Sequence, residues 1–427
     1  MKTTIQAVKG TREFYPEAME ARQFLYKNLR YVSELFGYQE WDGPFLEKID
    51  LYAAKSGEEL VKEQAFVFAD RSGELITLRP ELTPSLARMI AQKQNELVYP
   101  LRWWSFGPFW RYERPQKGRT REFFQWNIDQ IGVDSPEADA EMVAICATFL
   151  KTVGITSEQV QISINHRKLM EQELINLGIE KAKHKSIFRL IDRIDKLSPE
   201  SWMSYGQEIG LCTENLEDLK KLLADKDLWK KSEELKRIFQ ALENMGVRDY
   251  VRYDPSIIRG LDYYTGIVFE AWDITGDGRA ILGGGHYDNL VSDVGGDPLP
   301  GVGFAMGDVM ATLVLQKFGL LPQENQLSDR VLVTVFDENL MGQSLALASS
   351  LRTAGIKTVS YPEAAKLQKQ LKFADRMGMK VVLVLGPDEA AAGMVTVKNL
   401  TSRTQSQVKI EDAPAIINQY LAEPRGL

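Results

Sequence analysis

The sequence predicts an α+β domain built on an antiparallel sheet, interrupted by a helical insertion and followed by a C-terminal α/β domain. Three stretches carry that expectation. Trp103–Tyr112 is dense in aromatic residues, Phe123–Ile131 is aromatic and β-branched with polar residues at every second place, and Pro115 and Gly118 lie between them. Such a pattern is an antiparallel hairpin with a long loop. From about Lys168 to Gly246 the chain is charged, with repeated Leu, Ile and Lys and no strand-like alternation. From Asp329 onward apolar runs of strand length alternate with helical ones, the order of a largely parallel α/β sheet.

In chain order, Glu17–Phe36 has apolar residues at helical spacing and is closed by Gly37. Tyr38–Trp41 and Pro44–Phe45 read as extended. Phe66–Phe68 and Glu74–Leu78 pair around the turn Asp70–Gly73. Thr83-Pro84 starts a helix reaching about Gln94, with the threonine hydroxyl expected to cap it. Ala138–Val153 is a helix expected behind the hairpin, and Gln161–Ile164, Val251–Asp254 and Ile267–Trp272 are strands. Gly283–Gly285 permit a tight bend, and Pro300–Gly307 is a glycine-containing strand running into a helix. Beyond a short linker near Leu321–Leu327, strands are expected at Arg330–Val335, Ile356–Tyr361 and Val381–Leu385, with a hairpin at Met394–Lys398 and Gln407–Ile410. Helices at Leu340–Ala354, Ala364–Met377 and Ala413–Leu421 complete that unit.

A chain of 427 residues is too long for one ordinary core, and 44% hydrophobic with 26% charged residues describes a soluble globular protein. The chain shows neither an apolar run of bilayer length nor the apolar core of a secretory signal, so cytoplasmic placement is expected. Cys146 and Cys212 have no ligand or disulfide spacing, and His166, His184 and His286 are too scattered for a metal cluster. His184, inside EKAKHKS, is expected at the solvated surface. No nucleophilic triad is indicated.

Side chains alternate faces along a strand, which puts Phe109, Arg111 and Glu113 on one face and Phe123, Gln125, Asn127 and Asp129 on one face of the return strand. Arg111, Arg114, Lys117, Arg119 and Arg121 crowd the loop of a chain whose net charge is -7. A basic loop alone can be a solvated turn; with the paired polar face beside it, guanidinium forks suited to phosphate oxygens point to an anionic ligand.

FWRYERPQKGRTREF followed by QWNID resembles motif 2 of the class II aminoacyl-tRNA synthetases, and RPQKGR resembles the loop of the histidyl-tRNA synthetases. Arg259–Gly266, RGLDYYTG, closely resembles that family's signature; Gly283–Leu290, GGGHYDNL, is similar to its GGGRYDGL; and LRPELTPSL is similar to TLRPEGT. Pro300–Gly307 resembles motif 3, and the first helix and strand resemble motif 1. The resemblance implies a class II catalytic domain over 1–325, with the helical insertion of about 168–250 lying over the acceptor end of tRNA, and an anticodon-binding domain over 329–427. It implies activation of L-histidine by ATP with Mg2+ to an adenylate, transfer to tRNA(His), a homodimer, and no prosthetic group.

By the same likeness Arg111 and Arg259 are catalytic. Glu81 and Thr83 hold the α-amino group, while Gln125, Asp129, Tyr263, Tyr264 and Tyr287 bind the rest of histidine. Arg111, Glu113, Arg119 and Phe123 bind ATP, with Glu113 also a magnesium candidate. Arg114, Gln116, Lys117 and Arg121 serve the tRNA acceptor end. The chain departs from the family at Leu82 for glycine, Asp129 for glutamate, His286 for arginine, and Val309-Met310 for Glu-Arg, whose arginine packs on ATP. An alternative is the synthetase-like regulatory subunit of ATP phosphoribosyltransferase, which typically lacks the C-terminal domain.

Overall fold

The computed structural model describes residues 4–53, 64–116, 118–259, 264–276, 280–322 and 329–423. Its backbone forms two compact units, one of Met1–Glu13 with Ala21–Pro322 and one of Phe14–Glu20 with Gln323–Leu427.

The first unit is organised on a sheet of eight strands: β1 (Gln39–Glu40), β5 (Leu101–Trp110), β6 (Glu122–Ile131), β7 (Val160–His166), β8 (Val251–Tyr253), β9 (Ile267–Asp273), β10 (Leu282–Tyr287) and β11 (Gly301–Gly307). Their order is β1-β5-β6-β11-β10-β9-β7-β8, with β1/β5 and β7/β8 parallel and the other neighbours antiparallel. A small sheet of β2 (Leu46–Lys48), β3 (Phe66–Ala69) and β4 (Leu75–Leu78), ordered β2-β4-β3, precedes it. The hairpin register pairs Phe109 with Phe123 and Gly107 with Gln125, so the two faces divide as alternation requires.

The back of the large sheet is apolar. Trp126 and Ile128 of β6, Phe269 of β9 and Phe304 of β11 are buried with residues of α1 (Pro16–Leu35) and α4 (Pro136–Thr152) in one cluster. Ser135 caps α4, accepting the Ala138 N–H at 3.1 Å. α2 (Asp50–Ala53) and α3 (Thr83–Lys93) belong to the strand connections, and α10 (Asp308–Lys317) follows β11. The Thr83 expectation needs correction: Leu82 occupies the cap position in an αR conformation, without a side-chain cap hydrogen bond, and Thr83 is already helical.

Between β7 and β8 the chain forms α5 (Arg167–Asn176), α6 (His184–Ile191), α7 (Pro199–Glu208), α8 (Thr213–Ala224) and α9 (Glu233–Asn244). This insertion has no core of its own. Leu174, Ile187, Trp202, Leu219 and Leu242 belong to the same cluster as the sheet. His184 is accordingly buried, its Nε2 3.2 Å from the Ile179 carbonyl, rather than solvated as its lysine-rich context suggests. The apolar spacing of Ile187, Phe188 and Ile191 outweighs the charge of the flanking residues.

The second unit orders β12 (Val331–Val333), β13 (Thr358–Ser360), β14 (Val381–Val384), β15 (Met394–Asn399) and β16 (Thr404–Lys409) as β13-β12-β14-β15-β16. β12 is parallel to β13 and β14, whereas β15 is antiparallel to β14 and β16. Helices α11 (Met341–Thr353), α12 (Leu367–Arg376), α13 (Pro387–Ala392) and α14 (Ala413–Ala422) lie between or after these strands. Two apolar clusters form because Val331 and Val333 face one side and Leu332 the other. Among the described residues no helix is long and apolar enough to cross a membrane.

One position tests the close approach of the central strands. A Cβ on Gly284 would overlap the Gly303 carbonyl and lie 2.6 Å from Phe269 Cζ, so Gly284→Ala is expected to cost about 1–3 kcal/mol of stability in urea unfolding. An unchanged midpoint would show that the strands can part there.

Candidate active site

The front of the large sheet is where side chains need room, and the two central strands supply it by omitting them. β10 and β11 place Gly283, Gly285, Gly301 and Gly303 on the front face. Each open position is filled by another residue's side chain. A Cβ on Gly303 would overlap Asp129 Oδ1, one on Gly285 would lie 2.7 Å from Tyr264 Cδ1, and one on Gly301 would lie 2.7 Å from Tyr287 Cε2. On Gly283 it would overlap Arg259 Nη1. These glycines therefore form a floor within the strands, not a bend between them.

Asp129 and Tyr287 meet on this floor. The Tyr287 hydroxyl donates to Asp129 Oδ1 at 2.7 Å, and both residues are buried. Burial pushes the Asp129 carboxyl up to about 7, against the opposing influence of the tyrosine hydrogen bond. Arg259 approaches from the loop after β8, its backbone at φ 55°, a left-handed conformation unusual for a side chain of this size. Its Nη1 lies 3.4 Å from Glu270 Oε1, and its guanidinium carbon 5.7 Å from the centre of the Tyr264 ring. Burial raises the Glu270 carboxyl, and Arg259 acts in the opposite direction.

Glu81 and Thr83 sit at the start of α3, whose Leu86, Ala87 and Ile90 share an apolar cluster with Tyr264, Tyr287 and Ile131. Glu81 is buried and Thr83 half-buried. Arg111 reaches the same segment, donating from Nε to the Pro80 carbonyl at 2.9 Å, with its guanidinium carbon 5.4 Å from the Phe123 ring centre. Phe109 stacks on Phe123 with centroids 6.0 Å apart. Gln125 and Asn127 continue the polar row towards Asp129.

In the hairpin loop Arg119 Nη1 pairs with Glu113 Oε2 at 2.9 Å, and Gln116 pairs with Arg119 through the backbone. Arg114 and Gln116 are exposed. Arg121 stacks 4.0 Å over the Tyr112 ring and donates to the Glu113 carbonyl at 3.3 Å, so its side chain helps to shape the loop. Lys117 and Tyr263 lie outside the described residues. Among the described residues no group of three or more His, Cys, Asp or Glu is placed to hold a metal ion.

Two organising arginines escape a reading by motif. Arg79 is fully buried between the rings of Phe45 and Phe109, 4.5 and 4.7 Å from their centres, and donates to Asp42 at 2.6 Å and to the Pro108 carbonyl at 3.0 Å. Gly107 is required beside it, because a Cβ there would overlap Arg79 Nη2. Arg12 of the N-terminal KGTR segment donates to Asp308 at 2.8 Å, and Asp308 also accepts the Phe124 N–H at 2.9 Å. Arg22 lies 3.7 Å over the Phe124 ring. These cations stand near the start of α10, where Met310 is half-buried. The signals in the sequence are slight, an arginine next to Pro80 and another two residues after Gly10, and many turns share them.

A family model described as histidyl-tRNA synthetase matches residues 10–309, and an anticodon-binding-domain model matches residues 330–420. A histidine–tRNA ligase of Opitutus terrae is 36% identical, with 98% of this chain and 99% of the relative covered. The chloroplastic/mitochondrial histidine–tRNA ligase of Arabidopsis thaliana is 37% identical, with 96% and 86% covered. The crystal structure of histidyl-tRNA synthetase from Nostoc sp. PCC 7120 superposes with a TM-score of 0.84 at 27% identity, covering 98% of this chain and all of that one.

The raised carboxyl has a measurable consequence. A folded-state value near 7 means that the stability linked to protonated Asp129 is complete below the ordinary carboxylate range and lost as pH rises through about 7. Asp129→Asn keeps an acceptor for Tyr287 but no charge. It is expected to be about 1–3 kcal/mol more stable than the parent at pH 8, with the difference vanishing near pH 4. Equal unfolding midpoints at pH 8 would contradict this.

Proposed function

The chain belongs to the histidyl-tRNA synthetase family and is a histidine–tRNA ligase; from that premise we propose how its residues divide the work. The observation that carries the assignment is the buried Asp129–Tyr287 pair standing on the same glycine floor as Tyr264 and Arg259. Imidazole offers two ring nitrogens, and a carboxylate with neighbouring phenols can address both. Asp129, Tyr264 and Tyr287 read the ring, with Gln125 alongside and Tyr263 as a further candidate. Glu81 and Thr83 take the α-ammonium group. An apolar analogue would bring no N–H to the Asp129 oxygen that Tyr287 leaves open, which explains selectivity without a separate editing site.

Joining the histidine carboxylate to the α-phosphate brings two anions together, and fixed cations offset their repulsion as the new bond forms. Arg259 serves the carboxylate and α-phosphate, and Arg111 the α-phosphate. Arg111 is oriented by its hydrogen bond to Pro80 and by the Phe123 ring. Phe123 offers the stacking surface for adenine. Arg119, steered by Glu113, takes the outer phosphates. Magnesium carried by the triphosphate needs only one or two carboxylates from the protein, a demand that Glu113 fits. When bound, the ion would neutralise phosphate charge.

No side chain acts as a nucleophile. A terminal ribose hydroxyl of tRNA(His) attacks the carbonyl carbon of the adenylate and AMP leaves, while Arg114, Gln116, Lys117 and Arg121 serve the acceptor end through salt-sensitive phosphate contacts. The protein works as a cytoplasmic homodimer in this reading. Domain 1–325 carries activation, its insertion of about 168–250 faces the acceptor stem, and 329–427 reads the anticodon. The regulatory-subunit alternative is weaker, since residues 330–420 match an anticodon-binding domain.

Histidine-dependent exchange of pyrophosphate into ATP, followed by charging of tRNA(His), tests this assignment, and absence of exchange with folded protein and magnesium would overturn it. Arg259→Ala is expected to lower exchange by about 10²–10³ with little change in melting temperature. Gly283→Ala should do nearly the same without touching a polar group, because its methyl displaces the far end of Arg259 while leaving the strand in place. Full activity in Gly283→Ala would show that the position of Arg259 is not needed.

A further inference from the structure

His286 precedes Tyr287 on β10, and alternation turns it to the opposite side of the sheet. There it is buried between carboxylates. Nδ1 is 2.8 Å from Asp139 Oδ1 of α4, and Nε2 is 3.2 Å from Asp288 Oδ1 and 3.8 Å from Asp134 Oδ1. A neutral imidazole has one N–H and would turn a lone pair towards a carboxylate; only the imidazolium donates from both nitrogens. A second buried imidazole, His166 of β7, stands behind this group with Nε2 2.6 Å from Glu234 Oε2 of α9. Lys168 completes the charged neighbours of that pair.

His286 also touches the histidine pocket through its backbone and its Cβ. Its carbonyl accepts the Thr265 N–H at 2.9 Å, and a Cβ on Gly266 would lie 3.0 Å from its own Cβ, so the segment following Tyr264 rests on this residue. One residue thus ties β10 to α4 while its strand neighbour, Tyr287, and the adjoining loop residue, Tyr264, line the front floor.

We infer that the imidazolium of His286, clamped by Asp139 and Asp288, is a positioning residue that holds Tyr287 and Tyr264 in register for the substrate ring. Histidine affinity is therefore set in part by a proton bound on the far side of the sheet. This rests on the assignment of Asp129, Tyr264 and Tyr287 to the substrate ring. Burial alone would lower the His286 pKa, but the Asp139, Asp288 and Asp134 carboxylates outweigh it and raise it above the ordinary histidine value. Burial lowers His166 in spite of Glu234, which leaves His286 as the cation of the pair.

The test compares KM for histidine and kcat in pyrophosphate exchange between pH 6.5 and 9 for the full-length parent, His286→Gln and His286→Arg, with melting temperatures alongside. His286→Gln is expected to raise KM about tenfold at pH 6.5 with kcat within about twofold, and the ratio to the parent should fall towards one at pH 9 as the parent loses its proton. His286→Arg, a permanent cation, should keep KM near that of the parent at pH 6.5 and outperform it at pH 9. A His286→Gln ratio that is flat with pH, or a folded His286→Arg as poor as His286→Gln throughout, would overturn the inference. If His286→Gln does not fold, the parent to His286→Arg KM ratio decides alone: a rise with pH supports the inference, and a flat ratio overturns it. Loss of histidine-dependent exchange in the parent would instead sink the functional assignment on which it rests.

Discussion

Asp129, Tyr264, Tyr287 and Arg259 can gather on one face of two neighbouring strands because four positions there carry no Cβ atom. A strand presents alternate residues to each side, and an ordinary sequence would fill both. Here the front of β10 and β11 is left bare, and Asp129, Tyr264, Tyr287 and Arg259 lie across it. The back of the same sheet is covered by Phe269, Phe304 and Trp126, with Trp126 and Phe304 edge to face at 4.8 Å. Polar side chains thus crowd one side of these strands and the apolar core the other.

Charge follows the same division. The chain is negative overall, yet Arg111 and Arg259 stand on the front, which also holds Asp129, a buried carboxyl whose ionisation is made costly by its surroundings. Such a group gains most from a ligand that donates hydrogen bonds to it, so the folding energy withheld at Asp129 becomes available for recognition. Arg79 and Arg12 work differently. Each is fixed by a carboxylate and joins segments distant in sequence, so that the loop carrying Glu81 and the start of β6 are held before any ligand arrives.

Much of this architecture was legible because it depends on short-range periodicity. The hairpin and its two faces follow from alternation at Phe109–Arg111 and Phe123–Asp129, although β5 ends at Trp110, and Arg111 does meet Phe123 on the front face. The alternating strands and helices of the second unit are likewise written in apolar runs, although α13, only Pro387–Ala392, is too short to show a period. What could not be read depends on contacts between distant segments. Glycine has no side chain to declare a face, so Gly283–Gly285 look like a bend until Arg259 and Tyr264 are seen above them. His184 looks solvated because its lysine neighbours hide the apolar face of α6. Leu82 took the cap position from Thr83 because the preceding Arg79–Glu81 segment is bound by Arg79 and Arg111, and this sets where the helix can begin.

The parallel pairing of β7 with β8 brackets the whole run of α5–α9. Closing so long an excursion is entropically slow unless local structure shortens it first. The helices α5–α9, whose apolar residues join the sheet's cluster, are the local structure that shortens it. Excision of the insertion would strip Leu174, Ile187, Trp202, Leu219 and Leu242 from the cluster they share with the sheet, so a trimmed variant is ill suited to serve as a minimal scaffold.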